Sequence, residues 1–192
     1  MTGPSAPGGA DTTDLRMGAP IDDALLALLP LVGVWEGVGA GLDAGTGEQF
    51  SFGQRVTFGH DGRGFLAYRA RAWLLDAGGG AGAPAFREAG FWRPGTGPYD
   101  IEAQLVSIEG AACSFVGRAE HLRWEIATDA VLTAPTAAPL AGGRRLYAIV
   151  DEALCYATER AVVAGQYQPH LNAALRRVPI RVGPDARNQA RT

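Results

Sequence analysis

The sequence predicts an all-β fold: a single antiparallel up-and-down barrel of about ten strands, with a short N-terminal helix. Three observations predict it. Apolar and polar residues alternate with period two in short blocks over residues 31–178, the mark of half-buried strands. Gly and Pro number 27 and 12, which suits tight turns better than a helical bundle. The connections are too short for the crossover helices of a parallel sheet. A sheet of many short strands hides its edges by closing, and a small closed barrel holds one ligand cavity.

Residues 1–20 are rich in Gly, Pro, Ala, Ser and Thr and are expected to be a disordered tail. The barrel domain spans 21–178, and 179–192 form a mobile tail. Residues 21–29 (IDDALLALL) read as one helix. Asp22 caps it, Leu25, Leu26, Leu28 and Leu29 form its apolar side, and Pro30 stops it. In the first strand Gly33, Gly37, Gly39 and Gly41 share a parity with Trp35. One aromatic ring and several side-chain-free positions therefore face the same way, as where a backbone or a ligand must come close. Further strands are expected at 49–58, 65–75, 85–93, 99–108, 112–117, 121–127, 142–151, 153–163 and 166–178. Residues 59–62 read as a turn, 77–83 as a loop and 132–141 as a strand with a loop. Asp151 and Glu152 turn a hairpin.

The formal net charge of -3 argues against a nucleic-acid binder, which presents a basic face. All 17 basic residues are arginine, a bias of GC-rich coding rather than of chemistry. There is no basic-then-apolar leader and no apolar run long enough for a membrane helix. A soluble, cytoplasmic protein is expected, with no membrane partner. Cys113 and Cys155 lack metal-ligand spacing and read as small buried hydrophobes.

The candidate chemical groups are few. His60 lies in a Gly/Asp turn and reads as exposed, and His121 reads as a surface residue at a strand start. His170 follows Pro169, which fixes the local backbone. It is either a buried, hydrogen-bonded histidine or a metal ligand. Glu36, Glu88, Glu102 and Glu125 are single carboxylates expected to point outward. No GxSxG, HExxH or CxxC pattern is present. Residues 33–41 lack the Gly-Lys-Ser/Thr ending of a phosphate loop.

Several segments resemble the nitrobindin family. Residues 33–39 (GVWEGVG) fit its GxWxGxG signature, and 168–177 (QPHLNAALRR) look like its closing segment. Between them, GFLAY at 64–68, EAGFWR at 88–93 and ATD at 127–129 fall in the family's order. The resemblance covers about residues 30–178. It implies a ten-stranded barrel shaped like the fatty-acid-binding proteins, and members from actinobacteria are common. It implies ferric heme b, one per subunit, held by His170 as axial iron ligand, with Gly33, Trp35, Gly37, Gly39 and Thr46 around the cofactor. It also implies isomerisation of peroxynitrite to nitrate and binding of nitric oxide. Three departures accompany it. Residues 42–49 are longer and more polar than the family's, with Thr46 the one threonine in place. Ala138 stands where a lysine is expected, so Arg144 or Arg145 becomes the candidate for a heme propionate. Arg160 stands where a methionine is expected. An inward arginine also suits a heme-free carrier of fatty acids or other apolar ligands.

Overall fold

The structure is a computed structural model that describes residues 10–43 and 46–179. The expected tails at 1–9 and 180–192, and Ala44 and Gly45, lie outside the described residues. Ten strands form one closed antiparallel barrel. They are β1 (Gly33–Leu42), β2 (Gln49–Gly59), β3 (Leu66–Leu75), β4 (Ala81–Pro94) and β5 (Asp100–Ser107). Then come β6 (Ala111–Glu120), β7 (Arg123–Thr133), β8 (Gly142–Val150), β9 (Ala153–Ala161) and β10 (Tyr167–Arg177). Each strand pairs with its sequence neighbours, and β1 closes on β10 with Trp35 opposite Arg177 and Gly41 opposite Leu171. Among the described residues no helix is long and apolar enough to cross a membrane.

Local chemistry sets the connections. Asp151 and Glu152 both have positive φ, 47° and 63°, between the paired Val150 and Ala153. That is the twist a two-residue hairpin needs. His121 has φ 53° in the β6–β7 turn. It is exposed as expected, but the strand begins two residues later, at Arg123.

The expected helix at 21–29 is replaced by two 3-10 turns, Asp23–Leu25 and Leu29–Leu31. The buried residues Leu25, Leu28 and Leu31 recur every third position, which matches three residues per turn rather than 3.6. Asp22 still caps, accepting from the Ala24 N–H at 2.9 Å. Pro30 sits inside the second turn instead of ending the first. These turns close one end of the barrel. The Trp124 indole donates to the Ala27 carbonyl and the Trp35 indole to the Leu31 carbonyl, each at 2.8 Å. Arg177 lies over the Trp35 ring, 4.1 Å from its centroid, and donates to the Pro30 and Val32 carbonyls.

Part of the segment expected to be a disordered tail pairs with the barrel. Thr12 and His60 exchange backbone hydrogen bonds of 2.8 and 2.9 Å. This strand-like cover leaves His60 only 1% exposed, against the expectation of an exposed turn residue.

Candidate functional site

Between the closed end and the opposite mouth lies a cavity of about 600 Å³. That size suits a small organic ligand or cofactor. Its inner part is polar. Tyr68, Tyr147 and Tyr156 are buried there, and the Tyr156 hydroxyl donates to Gln54 Oε1 at 2.7 Å. Burial raises all three tyrosine pKa values, so the hydroxyls stay protonated.

Arg145 and Glu88 make a two-pronged ion pair in the same wall, with both N–O distances 2.6 Å. Their side chains are 19% and 14% exposed. Burial pulls the arginine pKa down, but the Glu88 carboxylate and the Tyr147 hydroxyl outweigh it and Arg145 stays charged. Glu88 therefore points inward, against the expectation for it. Its parity with Gly90 and Trp92 puts it on the inner face. Glu36, Glu102 and Glu125 pair with Arg55, Arg93 and Arg123 away from the cavity.

His170 lies nearer the mouth, in the wall beside Leu171. On β10, Pro169 pairs with Glu159 and Leu171 with Thr158, so His170 is the extra residue of a bulge. A proline cannot donate to the ladder and tends to sit at such an irregularity. A bulge re-aims a side chain, and here consecutive residues both reach the cavity wall. The Thr158 hydroxyl ties the bulge by accepting from the Leu171 N–H at 3.1 Å. His170 Nδ1 lies 3.4 Å from the Leu42 carbonyl oxygen. Burial holds the imidazole pKa below its ordinary value, the Leu42 carbonyl opposes this, and the charge of Arg160 adds to the lowering. The ring is neutral at neutral pH, the state that binds a metal.

The other residues expected around a cofactor lie elsewhere. Gly33, Trp35, Gly37 and Gly39 do not line the cavity. Gly33 has φ 146°, and a Cβ there would meet the Arg177 guanidinium. A Cβ on Gly37 would meet the Ala174 carbonyl oxygen of β10. At Gly39 it would meet the Asn172 carbonyl oxygen and the Phe52 ring. These glycines admit a neighbouring strand and the core aromatics. Thr46 is exposed; its N–H donates to Asp43 Oδ1 at 2.7 Å, and Asp43 and Leu42 reach the mouth. Ala138 lines the mouth, and Arg160 beside it donates to the Pro139 carbonyl at 3.2 Å. Arg144 is exposed, stacked 3.9 Å from the Tyr167 ring centroid. Both cysteines are free and half-buried, and Cys113 faces the cavity.

A family model described as the THAP4-like, heme-binding beta-barrel domain matches residues 24–177, nearly the whole barrel. The chain belongs to that family. Among curated members, the ferric nitrobindin-like protein of Saccharopolyspora erythraea is 46% identical over 175 residues, covering 90% of this chain and 82% of that protein. The peroxynitrite isomerase of Salinispora arenicola is 44% identical, covering 88% and 87%. Peroxynitrite isomerase 2 of Mycobacterium tuberculosis is 43% identical, covering 88% and 77%. The crystal structure of Rv2717c from M. tuberculosis superposes with a TM-score of 0.72 at 30% identity, covering 83% of this chain and 99% of that one. The expected nitrobindin-like, ten-stranded barrel is thus the observed one.

Proposed function

We propose that the cavity binds heme b, one per chain, with His170 as the single protein ligand of the iron. The loaded protein isomerises peroxynitrite to nitrate and also binds nitric oxide. The observation that carries this reading is the half-buried imidazole that a bulge sets in the cavity wall, in a chain of a heme-binding barrel family. The residues present fit the group. Leu42, Phe50, Phe86, Leu140 and Leu171 offer apolar wall to a porphyrin. The Leu42 carbonyl faces Nδ1, which leaves Nε2 for iron and fixes the tautomer.

When bound, the heme would supply the redox-active iron for the rearrangement of the peroxynitrite anion to nitrate. The chain supplies the setting. His170 offers a neutral, oriented donor on one side. The apolar wall keeps water from the reacting anion. Isomerisation of the anion consumes and releases no proton, so no side chain need act as acid or base.

His170→Ala tests this. The wild-type protein should show a Soret band with ferric hemin that shifts with nitric oxide, and should speed peroxynitrite decay to nitrate. The variant should stay folded and lose both properties, while His121→Ala, in an exposed turn, keeps them. An unchanged spectrum and rate in His170→Ala would overturn the ligand assignment. A second reading, a heme-free carrier of fatty acids, is favoured by the arginine at the mouth. Delipidated protein that binds a fluorescent fatty acid, yet gives no Soret band with hemin, would select it.

A further inference from the structure

We propose that Arg160 is a carboxylate-binding residue at the cavity mouth, and that in the loaded protein it holds a heme propionate. The source of that carboxylate rests on the heme reading above; the carboxylate site itself does not.

Arg160 lies on β9, opposite Gly143 of β8 and Gln168 of β10. Gln168 is two residues before His170, so arginine and histidine share one stretch of wall, and both line the cavity. Nη2 donates to the Pro139 carbonyl at 3.2 Å, which holds the guanidinium against the 138–140 segment of the rim. Nε is buried and has no hydrogen-bond partner among the described residues. A buried N–H without an acceptor is costly, and the cost is relieved when an acceptor arrives. The acceptor that suits one edge of a guanidinium is a carboxylate, which accepts from two N–H groups side by side.

The other charged groups nearby are differently engaged. Arg145 is committed to Glu88 through both terminal nitrogens. Arg144 stacks on Tyr167 and lies 4.0 Å from Glu159. Asp43 accepts the Thr46 N–H and hydroxyl. Arg87 also lines the mouth, but it is exposed on β4. The charge of Arg160 acts on the His170 ring. Arg160 thus combines a buried, unmet donor with closeness to the candidate iron ligand. A macrocycle bound to His170 with its acid side chains at the mouth would bring a carboxylate to that donor.

The test titrates full-length protein with hemin, with hemin dimethyl ester and with a fluorescent fatty acid, comparing wild type, Arg160→Met and Arg160→Lys. Far-UV dichroism and an unchanged unfolding midpoint certify folding. Arg160→Met should weaken hemin binding about ten- to a hundredfold, the range of a charged hydrogen bond. It should leave the ester, which has no carboxylate, bound as in wild type. Arg160→Lys keeps the charge but not the fork, and should fall between. If wild type binds the fatty acid in an Arg160-dependent way but not hemin, the carboxylate site stands and the heme reading falls. If Arg160→Met binds both acids like wild type, or loses the ester as much as hemin, the proposal is overturned.

Discussion

Ligation of iron by His170, as proposed, requires a neutral imidazole, and burial supplies it. Its pKa lies below the ordinary 6.5 because the folded wall disfavours the charged ring. The charged groups that act on it are Arg160, Glu109 and Arg145, with Arg160 and Arg145 adding to the lowering and Glu109 opposing it. Asp43 and Glu159 line the same cavity. Above 6.5 the ring is neutral both folded and unfolded and its titration contributes nothing to stability. As pH falls through the window below 6.5, the unfolded chain takes up the proton first and folding weakens. Protons compete with iron only at the lower end of that window. Hemin affinity should therefore be level from about pH 8 to about pH 6.5 and fall only further down that window. Spectral titrations across that range check it; a fall already complete by neutrality would put another group in control. The Glu88–Arg145 pair makes a different prediction. Removing one partner leaves a buried charge, so Glu88→Leu should cost about 3–5 kcal/mol in denaturant unfolding. Adding Arg145→Met should recover much of that loss, whereas additive losses would mean that the pair is not coupled.

At the scale of elements, β1 shows why its glycines recur. The Gly37 Cβ position is filled by the Ala174 carbonyl, backbone that cannot rotate away. Gly37→Val should therefore destabilise the barrel by about 1–3 kcal/mol or more. Per folded molecule, hemin should bind as before, because Gly37 does not line the cavity. Equal stability with weaker hemin binding would reverse this reading. The sequence could not tell the two apart, since a glycine stripe marks close approach without naming what approaches. The strands themselves were legible, because alternation and turn residues act locally, as at Asp151 and Glu152. The 3-10 turns were not, because leucines three and four apart fit either helix until the packing of Leu25, Leu28 and Leu31 decides. Glu88 carried a readable signal in its parity with Trp92, overridden by the assumption that charge faces water. The partner that makes its burial tolerable, Arg145, lies 57 residues away. The bulge at His170 was half legible: Pro169 fixes the local backbone, but only the pairing with β9 shows the bulge.

At the scale of the molecule, closure couples everything. Each strand is hydrogen-bonded on both sides, and β1 meets β10, so none can leave without breaking two ladders. Three tryptophans, Trp35, Trp92 and Trp124, are fully buried and belong to one core cluster. Trp35 and Trp124 also bond to the 3-10 turns at the closed end, while His170 and Arg160 stand at the mouth. If the barrel is one cooperative unit, tryptophan fluorescence and far-UV dichroism should follow the same unfolding curve. Hemin bound near the mouth should then protect Trp35 and Trp124 at the closed end as strongly as the strands that touch it. By mass action, free hemin at a hundred times its dissociation constant should add about 2.7 kcal/mol to unfolding. Both probes should move by that same amount. His170→Ala at the same hemin concentration should shift far less, because weaker binding to the native state gives less linkage. Heme quenches indole emission, so bound samples are compared through transition midpoints rather than amplitudes. Should the fluorescence midpoint stay fixed while the dichroism midpoint rises, the closed end would be a separate folding unit. The cavity would then be stabilised by its ligand alone, and closure would not transmit binding along the barrel.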